Sequence, residues 1–168
     1  NPGSTLSAID AIGIGRVAAN TTLAACGGAL SAMILAFYVG SFKGKFEIEM
    51  TIQRQNSKIW GFGLTNNNGD YLNFTFDLEQ NILKVDRRNC GLNDFNRKYV
   101  SEPIAPLATR ESYKVRLLVD KASTEIFIND GETVMTNIVF PTQNYSSLSF
   151  FALNQSWKAE DIKIYEIN

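Results

Sequence analysis

The sequence predicts an all-β protein, an antiparallel two-sheet β-sandwich preceded by an apolar helical segment. Three observations lead there. From residue 41 onward, apolar and polar residues alternate in short runs, the period-two mark of half-buried strands. Clusters of Asn, Asp and Gly separate those runs at close spacing, as in sandwiches and unlike strand–helix–strand units. Charge is also unevenly placed: residues 1–40 carry only Asp10 and Arg16, while both tryptophans and nearly all Phe and Tyr lie beyond them. The contrast divides the chain into an apolar Ala/Gly-rich segment, 1–40, and a sandwich module, 41–168.

Within the first piece, 17–39 is an uncharged run of 23 residues. As a helix it would span about 34 Å, against about 30 Å for a bilayer core. Ala24, Ala25, Gly27, Gly28 and Ala29 would allow close helix approach in a membrane. Asn20, Thr21, Thr22 and Ser31 keep the run only moderately apolar, so it reads as one helix of a polytopic bundle. A docked N-terminal helix of a soluble protein is the alternative. The start lacks the charge of a secretory signal peptide.

The strands follow in order. Residues 46–52 alternate strictly, and 60–64 alternate with glycines between the large residues. Asn66, Asn67, Asn68, Gly69 and Asp70 mark a turn into 71–77. A short strand is expected over 82–86, and 87–106 shows no periodicity and reads as a covering or functional loop. Tyr113, Val115, Leu117 and Val119 share one face of the next strand. Strand 124–129 turns through Asp130-Gly131 into 133–140, and 147–153 and 157–167 close the chain.

At 168 residues the chain has room for one ordinary domain. A net charge of −1 argues against a nucleic-acid partner, which would call for a basic stripe. The chain has no histidine, which excludes His-based triads, His-ligated zinc and His general acid–base chemistry. Two cysteines, Cys26 and Cys90, do not make a disulfide framework. No phosphate-cradling glycine loop leads from a strand into a helix. The 66–70 cluster lacks the alternating acidic ligands of a calcium loop and reads as a hairpin turn, so no cofactor or metal is expected. The sequons at Asn20, Asn73, Asn144 and Asn154 read as chance in an Asn-rich chain. Alternation places most carboxylates on outward faces, where no pair reads as catalytic.

Sugar binding is the chemistry best matched to what remains. A sugar ring packs its C–H faces on aromatic rings and offers hydroxyls to Asp, Glu, Asn and Arg. Trp60, Tyr71, Phe127 and Trp157 are candidates for the platform, with core packing as the alternative for each. Glu125 shares a strand face with Phe127, Arg87 follows a strand end, and Glu49 lies on a polar strand face. A solvated or ion-paired surface group is the alternative for each of the three.

The motifs Val119-Asp120, Glu125-Ile126-Phe127 and Asn129-Asp130-Gly131-Glu132 within 113–141 carry a resemblance. They are joined by Phe46-Glu47-Ile48-Glu49, Leu83-Lys84-Val85-Asp86-Arg87 and the strand 162–167. Residues 41–168 resemble the C-terminal β-sandwich module of glycoside hydrolase family 32, the family of levanases, inulinases and invertases. The resemblance implies a concanavalin-like sandwich that packs against a five-bladed propeller holding the active site. The family's Asn-Asp-Pro, Arg-Asp-Pro and Glu-Cys signatures do not occur in this sequence, so no hydrolysis is expected of it alone. Related carbohydrate-binding modules of family 66 hold terminal fructosyl units of levan with acidic and Arg side chains. On that resemblance Arg87, Glu125 and Glu49 are the nearest equivalents here; Trp157 joins them as a carbohydrate-binding candidate through the aromatic-platform reading alone. Lys121 stands where the family usually has Arg, which removes a bidentate contact there.

Residues 1–37 resemble an internal piece of ammonium transporters, without a counterpart of the pore histidines. A rearranged gene, a truncated gene or an artificially joined chain would each produce such a fusion. The expected function is a non-catalytic accessory module of a fructan-acting hydrolase that binds fructan. The alternatives are a structural module that packs on a propeller or on its own copies, and a module tethered to the membrane by 17–39. The resemblance implies an extracellular or periplasmic location. Because the first segment replaces sequence that normally leads into the sandwich, an unpaired edge strand is a further expectation.

Overall fold

The computed structural model describes residues 16–19, 35–37, 44–153 and 156–167. Twelve strands occur among them: β1 Arg16–Ala19, β2 Leu35–Phe37, β3 Lys45–Gln53, β4 Ile59–Thr65, β5 Tyr71–Asp77, β6 Ile82–Asp86, β7 Ile104–Pro106, β8 Ser112–Val119, β9 Ser123–Ile128, β10 Thr133–Ile138, β11 Ser147–Ala152 and β12 Lys158–Ile167. They form two antiparallel sheets, ordered β1-β12-β3-β8-β9-β10 and β2-β11-β4-β5-β6-β7. The predicted sandwich is what forms. The loop expected over 87–106 ends in the short strand β7, which pairs with β6.

The first segment departs from its expected form. Where a helix was expected over 17–39, Arg16–Ala19 pairs with β12 and Leu35–Phe37 pairs with β11. Short runs rich in Ala, Val, Leu and Phe suit a strand as well as a helix when a sheet edge offers unpaired N–H and C=O groups. Both strands sit outermost in their sheets, so the edges expected to be open are covered there. Among the described residues no helix is long and apolar enough to cross a membrane. The remainder of 1–43 lies outside the described residues, and with it the transporter-like stretch apart from these two strands.

Alternation builds the core. In β3, Phe46, Ile48, Met50 and Ile52 are buried while their neighbours are half-exposed. In β8, Tyr113, Val115, Leu117 and Val119 face inward. Trp60, Phe62 and Leu64 of β4 and Leu72, Phe74 and Phe76 of β5 meet them from the other sheet. Trp60 stacks on Phe76 at 5.3 Å between centroids, and Tyr113 closes on both from across the interface at 5.7 and 5.5 Å. The Tyr113 hydroxyl donates to Ala108 O and accepts from Arg110 N, so this polar tip is buried with its hydrogen bonds made. In β12 the spacing Ala159, Ile162, Ile164 breaks period two. A bulge between Glu160 and Lys163, with Asp161 at φ 52, restores the inward side.

Gly61 and Gly63 alternate with the large residues of β4 and point outward. A Cβ at Gly61 would strike Phe74 O and the Phe151 ring, and one at Gly63 would strike Asn73 Oδ1. Their absence of side chain lets Phe151 and Asn73 lie flat across the sheet.

The 66–70 turn is a hydrogen-bonded clip. Asp70 Oδ2 accepts from Asn66 Nδ2 at 2.8 Å, and from Thr142 N and Thr142 Oγ1, both at 2.7 Å. Burial pushes the Asp70 carboxyl up, but these hydrogen bonds outweigh it and hold the group below its ordinary 3.8. The clip ties the β4–β5 hairpin to the segment entering β11.

Two outcomes follow for stability. Trp60→Ala is expected to cost about 3–5 kcal/mol, read as a shift in urea midpoint at unchanged slope. Asp70, depressed when folded, contributes stability above its ordinary value and loses it as pH falls from there through the lower folded value. Asp70→Asn should therefore lower stability at neutral pH and flatten the acid limb of a pH–stability profile below about pH 4; an unchanged acid limb would contradict the clip.

Candidate functional site

Pairing register lays out the outer face of the first sheet in rows. One row runs Lys163, Glu49, Arg116, Phe127, Val134 across β12, β3, β8, β9 and β10. The next runs Tyr165, Glu47, Leu118, Glu125, Thr136. All point outward because the alternate residues of the same strands fill the core.

The carboxylates of this face are not equivalent. Glu47 pairs with Arg116, whose guanidinium carbon also lies 5.9 Å from the Phe127 ring centroid. Glu49 Oε2 accepts from the Tyr165 hydroxyl at 3.2 Å. Glu125 has no hydrogen bond or ion pair among the described residues. It stands between Leu118 and Thr136 across the sheet, with Phe127 two residues along its own strand. Val134 and Ile138 expose 46% and 54% of their surface on the neighbouring edge strand, so a free carboxylate sits within an apolar margin. Glu49 and Glu125 are separated by β8 and lie one row out of step.

The other two candidates lie elsewhere. Trp157 is buried: it packs edge-on against Phe150 at 5.5 Å and donates from Nε1 to Phe151 O at 3.0 Å. Its ring has no open face for a sugar, so the platform role expected for it is withdrawn, as is that of fully buried Trp60. Phe127 keeps an outward ring and Tyr71 is half-exposed.

Arg87 follows β6 in the second sheet, away from Glu125. Its Nη2 donates to Ser101 Oγ at 2.7 Å and Tyr99 O at 3.3 Å, and its guanidinium carbon lies 4.8 Å from the Tyr99 ring centroid. Only Glu49 and Glu125 of the four thus share a face.

Two groups escaped sequence reasoning. Arg116, Leu118 and Thr136 join the Glu125 face only through register between distant segments. On the outer face of the second sheet, Arg88 forks onto Asp86 at 2.9 and 2.8 Å and reaches Glu102 at 3.3 Å. Burial opposes the Asp86 charge, yet the Arg88 fork outweighs it and keeps the carboxyl below its ordinary value. The adjacency of an acid and an arginine two residues apart beyond a strand end was a usable signal for this pair. Among the described residues no cluster of His, Cys, Asp or Glu is arranged to hold a metal.

Comparison with known proteins gives the arrangement a context. Residues 19–166 match the family described as glycosyl hydrolases family 32 C terminal. The match begins inside the transporter-like stretch. The levanase of Bacillus subtilis (strain 168) is 27% identical over 121 residues, covering 71% of this chain and 18% of that protein. The sucrose-6-phosphate hydrolase of Streptococcus mutans is 29% identical over 104 residues, 61% of this chain and 21% of that protein. Among solved structures, the exo-inulinase of Aspergillus awamori superposes with a TM-score of 0.68 at 19% identity, over 91% of this chain and 29% of that one. The chain thus spans less than a third of each of these proteins.

The contrast between Glu125 and Trp157 is measurable. Glu125→Ala, removing an unpaired outer side chain, should change stability by less than about 0.5 kcal/mol. Trp157→Ala should cost about 3–5 kcal/mol. Equal effects in urea denaturation would show that one of the two is misassigned.

Proposed function

The chain belongs to the glycosyl hydrolase family 32 C-terminal domain family, and from that premise we propose that it is an accessory module of a fructan-acting glycosidase that binds terminal fructosyl units. On this reading the catalytic site lies in a separate propeller domain, as the resemblance to the family implies, and the sandwich matched here packs beside it. The module itself is non-catalytic.

The observation that carries the sugar-binding reading is the unpaired Glu125 carboxylate beside the outward Phe127 ring. A carboxylate accepts two neighbouring hydroxyls, and an aromatic edge packs the C–H side of a furanose. Glu49, one row and two strands away, extends the same face to a second sugar residue. Levanase and exo-inulinase among the similar proteins make fructan the substrate class to test. An extracellular or periplasmic location belongs to this reading. The sandwich module is taken as 41–168, to which the preceding segment lends two edge strands.

A second reading has its own support. Leu92, Phe95, Val100 and Ile104, together with Val134 and Ile138 on β10, expose more apolar surface than solvation needs. These side chains favour a module that packs against another domain without touching sugar.

Calorimetric titration of the full chain with levan, inulin and fructose separates the readings. Saturable heat is expected for the wild type, and Glu125→Ala should weaken binding at least about tenfold, the loss of a charge-assisted hydrogen bond. A folded, monodisperse chain that returns no heat would overturn sugar binding and leave the packing role.

A further inference from the structure

Arg87 Nε, Thr124 Oγ1 and Asn137 Nδ2 are buried polar atoms without a hydrogen-bond partner among the described residues. Thr124 and Asn137 are 1% and 2% exposed and sit directly opposite each other in the β9–β10 pairing, both facing inward. Arg87 continues the inward series Leu83, Val85 of β6 in the facing sheet. Three contacts set the level. Thr133 Oγ1 at the start of β10 donates to Pro106 O of β7, and Pro106 pairs with Ile82 at the start of β6. Asn137 lies four residues beyond Thr133 and Arg87 five beyond Ile82, so the two fall at neighbouring levels, and Arg87 N donates to Ser101 O. Tyr99 bridges the two sides, with its ring against the Arg87 guanidinium and its hydroxyl donating to Ile138 O at 2.7 Å.

Unpaired polar atoms at such depth are costly one at a time, and three gathered together call for a common partner. Arg87 Nε–H and Asn137 Nδ2–H can only donate, whereas the Thr124 hydroxyl both donates and accepts. An oxygen that accepts two hydrogen bonds and donates one completes the set. A hydroxyl oxygen does this.

We propose that Arg87, Thr124 and Asn137 form a hydroxyl-binding nook inside the sandwich edge, beneath the 87–103 segment and separate from the Glu125 face. Ordered water and a sugar hydroxyl share that chemistry. The 87–103 segment closes the nook: Phe95, Tyr99 and Phe140 pack together at 4.9 to 5.9 Å, and Leu92 N donates to Phe140 O at 2.8 Å. The nook stands whether or not the Glu125 face binds fructan.

Thr124→Val decides it, because valine keeps the shape and deletes only the hydroxyl. If that hydroxyl is bonded to a bound oxygen, the folding equilibrium constant from urea denaturation should fall about five- to tenfold. A hydroxyl that is truly unpartnered would instead leave stability unchanged or raised on substitution, which overturns the proposal. A high-resolution crystal structure of the full chain provides the second measurement. It should show an oxygen within hydrogen-bond distance of at least two of the three atoms. Direct bonding of Asn137 Nδ2 to Thr124 Oγ1 would overturn the nook. Levan titration of Thr124→Val identifies the source: tenfold weaker binding with Glu125 intact marks a sugar hydroxyl, and unchanged binding marks water. Loss of levan binding only in Glu125→Ala concerns the outer face alone.

Discussion

Everything in this fold hangs on the aromatic contact that crosses between the sheets. Trp60 and Phe76 stack within one sheet, and Tyr113 reaches them from the other. Each face of a sheet has only alternate residues to spend on its partner, so a few large rings must fill the gap of about 10 Å between sheets. Trp60 contributes through packing, since its indole N–H has no partner among the described residues. Tyr113 adds the hydrogen bonds that fix the Ala108–Arg110 turn before β8.

That inward commitment decides what is left for function. Large side chains in the core force their strand neighbours outward, and on β3, β8 and β9 those neighbours are Glu47, Glu49, Arg116, Glu125 and Phe127. Ion pairing absorbs Glu47 and Arg116, Tyr165 engages Glu49, and Glu125 has no partner among the described residues. On the second sheet the outward positions of β4 are glycines, and Phe151 and Asn73 close over them. The two outer faces therefore differ in kind: one offers a carboxylate with an apolar margin, the other is paved by flat side chains and an Asp86–Arg88–Glu102 network.

The side of the sandwich follows a third logic. There the 87–103 segment covers β10 through Tyr99, Phe95 and Phe140, while Leu92 and Phe95 still expose much of their surface. Gly91, at φ +120 with Phe140 O against it, supplies the backbone bend that seats the segment. Polar groups trapped beneath such a cover need an oxygen partner, and this ties a loop without periodicity to a definite place in the fold.

Strand positions, the two-sheet architecture and the family motifs were legible in the sequence, because side-chain alternation is a local property that water enforces residue by residue. The Glu125–Phe127 pairing on one face was legible for the same reason. The first segment was not, since an apolar run takes the secondary structure of whatever edge is free to pair with it, and the edges of β11 and β12 lie more than a hundred residues away. Nor was the fate of Trp157: an aromatic next to a strand end packs inward or outward according to what fills the space beneath it, here Phe150. The sequence by itself determined which residues alternate and therefore which faces exist. Only the tertiary structure decided which charges on a face find partners, and which loop covers which edge of the sandwich. Those outcomes depend on register and on contacts between segments far apart in the chain.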